Sequence, residues 1–137
     1  MQFYMIDPDA KKSTSRLPDA MIRVNCREGW QIISDIGHHF GLTWQGQNKC
    51  YNANHPLTMR LRESREEFDR LHMHYAYSLM EWRRRFGTET VWHEHLSYVP
   101  FVKIGERCAA TDRWQTMREY ILTAKARQIK EGERKRV

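Results

Sequence analysis

The chain has 137 residues, 40% of them apolar and 29% charged, with a net charge of +6 from 23 Lys and Arg against 17 Asp and Glu. That length suits one domain able to bury a core without disulfide staples, and no apolar run approaches the roughly 18 residues that read as a membrane span. The positive excess favours an anionic partner, and nucleic acid over a membrane surface, because no segment pairs a basic face with an apolar one.

Met1 to Ile6 form a short apolar run stopped by Asp7-Pro8, which predicts a strand or an extended arm. Nothing in this opening has the basic start and long apolar stretch of a signal peptide. Pro18 suits a first helical turn, and Ile22, Cys26, Ile33 and Ile36 recur at helical spacing, so a helix is expected from about residue 18 to 36. Gly29 inside it costs about 1 kcal/mol against Ala and marks a close approach by another backbone or a ligand. The Gly- and Asn-rich segment 37–56 reads as a loop, long enough to be functional or mobile.

Pro56 opens a short helix. Ser64 and Glu67 then make a capping box for what reads as the longest helix, about residues 65–86. Its stripe of Phe68, Leu71, Tyr75, Leu79, Trp82 and Phe86 is core, and Gly87 ends it. Residues 90–105 are ambiguous, with Val91, Tyr98, Val99 and Phe101 hinting at extended structure on both sides of Pro100. A last helix is expected over about 112–130, with Trp114, Met117, Ile121 and Ala124 turned inward. The expected architecture is mainly α: a single compact helical domain over residues 1–130, with a short N-terminal strand or arm, a long central helix and a basic flexible tail at 131–137.

Several chemistries find no support. His72 and His74 lie two apart on a helix and point in different directions, and Cys26, Cys50 and Cys108 form no CxxC pair, so no metal site is expected. His93 and His95 would share a face only on a strand. The odd, scattered cysteines predict a reducing, cytoplasmic setting and none has a nucleophile signature. Walker, GxGxxG and GxSxG patterns are missing, so no nucleotide cofactor is expected.

What remains is one helix face. Arg23, Arg27 and Gln31 are spaced i, i+4, i+8 and make a polar ridge able to hold phosphates, with Glu28 on the adjacent stripe. A carboxylate beside arginines stays ionised and can support a developing cation or take a proton. A solvated salt link is the plainer reading of the same spacing.

The wider pattern bears on that choice. The segment MQFYMIDPDAKKSTSRLPDAMIRVNCREGWQII resembles the start of the phage and bacterial pyrimidine-dimer DNA glycosylase family. In that family a short strand leads to a helix with an Asp, a Glu nine residues on and a Gln three further, which fall on Asp19, Glu28 and Gln31. NANHPLTMRLRESREEFDRLHMHYAYSLMEWRRRFG is similar to the family's Asn-His-Pro segment, Arg-Glu-Ser step and long helix ending in Glu-Tyr-x-x-Arg-Phe/Tyr-Gly. WQTMREYILTAK resembles its closing helix. Together the three cover most of the chain in the family's order.

The resemblance implies a helical enzyme of a bacterial or phage-infected cell that acts on double-stranded DNA. A primary amine at the chain start, here that of Met1, attacks the sugar C1′ of a pyrimidine nucleotide. Glu28 supports the cationic intermediate and assists strand cleavage by β-elimination, while Arg27 binds phosphate. Asn54 and His55 would contact base or backbone, and Arg60, Arg118 and Lys125 complete the residues expected on DNA. The chain departs from the pattern at three places. Gln2 is too large for ordinary methionine trimming, Met21 replaces a His, and Val24 stands where relatives often carry Lys. Those departures leave two alternatives open. One is a DNA base-modifying transferase on the same scaffold, attaching an amine or amino acid to an activated, hypermodified pyrimidine. The other is a non-catalytic DNA-binding module with Glu28 ion-paired to Arg27 or Arg60.

Overall fold

Residues 1–6 run as an extended arm along the second helix, held by one side chain. Asn25 Oδ1 accepts the Tyr4 N–H at 2.7 Å and Asn25 Nδ2 donates to the Tyr4 carbonyl at 3.0 Å, so a buried amide takes the place of a neighbouring strand. Phe3 is buried in the core and Ser13 Oγ accepts the Ile6 N–H. The choice between strand and arm therefore falls to an arm. In this computed structural model, the residues described are 1–135, without the side chains of 113–116, 118, 119 and 133–135. Among the described residues there is no strand, and the fold is a single compact, mainly α domain.

Six α-helices follow in order: α1 (Ala10–Arg16), α2 (Asp19–His39), α3 (Pro56–Leu61), α4 (Arg65–Phe86), α5 (Val91–His95) and α6 (Phe101–Lys135), with a 3-10 turn at Leu96–Tyr98. The short α1 escaped the sequence reading, although Asp9 caps it by accepting the Lys12 N–H at 2.9 Å. Helix α2 ends three residues later than expected, at His39. Helix α4 is central and packs on α1, α2, α3 and α6. Its Phe68, Leu71, Tyr75 and Leu79 join Ile22, Cys26, Trp30, Ile33 and Ile36 of α2 in the core, as the stripe required. Its capping box is one-sided: Ser64 Oγ accepts the Glu67 N–H at 3.2 Å, but the Glu67 carboxylate pairs with Arg70.

Gly29 is explained by packing. A Cβ there would lie 2.5 Å from the Tyr75 ring and 2.7 Å from the Phe3 ring, so the close approach is by side chains, not by another backbone or a ligand. Tyr75 adds a hydroxyl hydrogen bond to the Cys26 carbonyl at 2.9 Å.

The C-terminal third differs most from expectation. The extended structure read around Pro100 is helical instead. Thr90 Oγ1 accepts the Trp92 N–H while His93 Nδ1 accepts the Thr90 N–H at 2.9 Å, a capping box with His in the position usually held by Glu or Gln. The Pro100 carbonyl then accepts the Ile104 N–H at 3.0 Å, and α6 starts at Phe101 rather than near 112. Pro at that boundary removes only a donor that a helix start leaves unpaired anyway. At 35 residues α6, not α4 with 22, is the longest helix, and it continues through 131–135. Ile104 and Cys108 anchor its first turns in the core. Its outer half leaves the body: Met117 and Ile121 are about half exposed (55% and 49%) rather than turned inward. The side chain of Trp114 lies outside the described residues.

Candidate active site

The arm and α2 meet at an open cleft of about 330 Å³ lined by Met1, Arg27, Glu28, Gln31, Asn48 and Tyr51. The Asn25 clamp on Tyr4 explains why the chain start is there. It fixes the arm one helical turn before Glu28, and Thr58 Oγ1 lies 3.6 Å from the Met1 sulfur. Four residues singled out in the sequence, Met1, Arg27, Glu28 and Gln31, thus line one surface. Arg27 Nε lies 3.6 Å from Glu28 Oε1, with the arginine 63% exposed and the glutamate 28%. The salt link and the cleft coincide, because the pair sits in the wall.

The opposite wall is the segment 40–55, and it is not a free loop. Trp30 Nε1 donates to the Gly46 carbonyl at 3.1 Å, Gln47 Nε2 to the Ser34 carbonyl at 3.0 Å, and the Asn48 N–H to Ser34 Oγ at 3.1 Å. His38 Nε2 holds the Asn48 carbonyl at 2.8 Å, and Arg62 Nη1 donates to the Ala53 carbonyl. Gly46, at φ +86°, sits under the His95 ring, where a Cβ would come within 2.2 Å of Nδ1. The buried carboxylate of Asp35 fastens the end nearest the cleft. Its Oδ1 accepts the Tyr51 N–H at 2.9 Å and Gln31 Nε2 at 2.8 Å, and its Oδ2 accepts the Asn52 N–H at 3.3 Å.

Other candidates lie elsewhere. Arg23 stacks over the Phe86 ring, 4.4 Å from its centroid, and does not line the cleft. Asp19 pairs with Arg85 at 3.1 Å at the start of α2. His55 caps α3, its Nδ1 accepting the Leu57 N–H at 3.2 Å. Asn54 and Arg60 are exposed outside the cleft lining, Lys125 is exposed on the outer half of α6, and the Arg118 side chain lies outside the described residues. Burial pushes the Cys26 and Cys108 thiols up to about 12, which makes both inert as nucleophiles. Among the described residues no three His, Cys, Asp or Glu side chains converge on a possible metal position.

No family model, curated protein or solved structure matches this chain. The site therefore has to be judged from its own geometry. Asn25, Asp35, Asn48 and Tyr51 build it and were missed in the sequence. The signal was faint but present: Gln31, Ser34 and Asp35 put polar groups at i, i+3 and i+4 among the apolar Ile32, Ile33 and Ile36, opposite a loop rich in Gln and Asn.

Proposed function

We propose that this protein is a DNA-acting enzyme of the glycosylase/AP lyase type, working through Glu28 in the Met1–Arg27–Glu28 cleft. The observation that carries the reading is the meeting of the chain's first residue with an ionisable acid and an exposed arginine on one open surface. Among the described residues Arg27 pairs only with Glu28, so it has guanidinium donors to spare and suits a phosphate. Where Met1 is the first residue, its amine attacks C1′ of the target nucleotide. The C1′–N bond breaks, its electron pair leaves with the base, and the base takes a proton. One amine proton is lost, the C1′–O4′ bond then breaks as O4′ takes a proton, and the opened sugar is left as a protonated imine at C1′. Glu28 offsets the positive charge that develops on the sugar, and then accepts the C2′ proton as the 3′-phosphate departs by β-elimination. A base reaches such a cleft only when unstacked from the duplex.

The test is mass spectrometry of nucleobases and oligonucleotides after incubation with ultraviolet-irradiated and 5-hydroxymethyluracil-containing duplexes. Free base with an abasic or cleaved strand is expected. A base that gains the mass of an added amine on an intact sugar would replace this reading with a transferase. Salt-dependent binding with no change in any base would replace it with a binding module.

A further inference from the structure

The amides in the cleft form a relay with one direction. Gln31 Nε2 lies 2.8 Å from Asp35 Oδ1 and 3.1 Å from the Lys49 backbone carbonyl. A carbonyl can only accept, so this end of the Gln31 amide must be the donor. Gln31 Oε1 then faces Asn48 at 3.1 Å, which makes the Asn48 contact atom its Nδ2 donor. The Asn48 backbone is held as well, its N–H by Ser34 Oγ and its carbonyl by His38. The orientation of Asn48 is thereby set from the buried Asp35 outwards, which leaves its side-chain oxygen and the second Nδ2 hydrogen for a ligand in the cleft. Tyr51 lines the same cleft with 78% of its surface exposed while its backbone N–H is tied to Asp35. An aromatic ring left in solvent on a rigid backbone is a stacking platform rather than a core residue.

We propose that Asn48 and Tyr51 are the specificity-determining pair of this cleft: Asn48 Oδ1 accepts an N–H from the edge of an unstacked nucleobase, and the Tyr51 ring stacks on its face. The inference rests on the DNA reading above and adds to it which residues select the base. Gln31 on this account does not touch the ligand; its amide is spent on Asp35, Lys49 and Asn48, and it acts by orienting Asn48.

The experiment is fluorescence anisotropy with the wild-type chain on three duplexes: fully paired, with one bulged thymine, and with one bulged N3-methylthymine, which lacks the edge N–H. Wild type should bind the thymine bulge about tenfold more tightly than the methylated one, the scale of one well-made hydrogen bond. Asn48→Ala should bring that ratio to about one. Tyr51→Ala, at an exposed position, should weaken both bulged duplexes about tenfold and leave the ratio intact. Each ratio compares two ligands on one protein, so a loss of folded molecules cannot imitate the result. A wild-type ratio near one, or a ratio kept in Asn48→Ala, overturns the assignment. If the fully paired duplex still binds in a salt-dependent way, only this assignment falls. If no duplex binds at all, the DNA reading falls with it.

Discussion

Two arginine–carboxylate pairs sit near opposite ends of one stretch of α2 and have opposite characters. Arg85 is 13% exposed and gives its donors to Asp19, Glu81 and the carbonyls of Leu17, Thr14 and Ser15. It is saturated, and it ties the end of α1 and the start of α2 to α4. Arg27 is 63% exposed and, among the described residues, pairs with Glu28 alone, at 3.6 Å. The motifs around Asp19, Glu28 and Arg85 contain members of both pairs, so sequence spacing alone ranks them equally. What separates them is the count of donors already used: a guanidinium with every N–H engaged holds a fold, and one with donors left over can hold a ligand.

Glu28→Gln is the most direct way to break that contrast. Removing the charge that balances a developing cation should lower turnover about 10²–10³-fold, while thermal stability moves within about 0.5 kcal/mol, as for other partly exposed sites. Equal losses of activity and stability would make Glu28 another Arg85. Arg85→Ala should show the reverse, losing about 3 kcal/mol in urea titration because Glu81 keeps only Arg84 and the carbonyls of Thr14, Ser15 and Leu17 lose their donor, with activity per folded molecule retained. Asp35→Ala sharpens the picture of the far wall. It should cost about 1–3 kcal/mol by leaving the Tyr51 and Asn52 amides unpaired, and hydrogen exchange should accelerate at those two amides before it does in α4. Arg27→Ala should weaken duplex binding about tenfold and reduce the salt slope by about one, with stability unchanged.

The smallest effect is a pH dependence. Burial lowers the pKa of His72, opposed by Asp69, in keeping with a ring stacked 3.6 Å from Phe101. A histidine held neutral binds fewer protons folded than unfolded, so its contribution to stability is present above its ordinary value of 6.5 and is lost as pH falls from there through the lower folded value. His72→Phe should make urea midpoints fall less steeply with pH across that window, leaving the part due to His39, whose pKa burial also lowers.

How much of this was legible beforehand follows the same division between spacing and partnership. Of the ridge read as Arg23, Arg27 and Gln31 with Glu28 beside it, all but Arg23, which stacks on Phe86, line the cleft. The α4 stripe and its boundaries were readable because helical periodicity is local. The burial of Asp35 and the pinning of segment 40–55 were not, since they depend on which loop atoms meet which turn of α2. A long Gly- and Asn-rich stretch looks mobile in sequence, yet side-chain hydrogen bonds hold it along most of its length. The regular α6 looked like core, yet its outer half, about 25 Å or more by helical rise, stands away with Met117 and Ile121 exposed. Nothing local in Thr90-x-x-His93 announced a helix start, because the familiar cap signal carries Glu or Gln at the last position.

The measurement closest to the central claim is borohydride trapping on abasic and ultraviolet-irradiated duplexes, with the adduct mapped by peptide mass spectrometry. The cleft as described predicts a covalent protein–DNA adduct on the Met1 amine. A chain that binds these duplexes tightly and yields no adduct, or yields one at a lysine remote from Glu28, would contradict it.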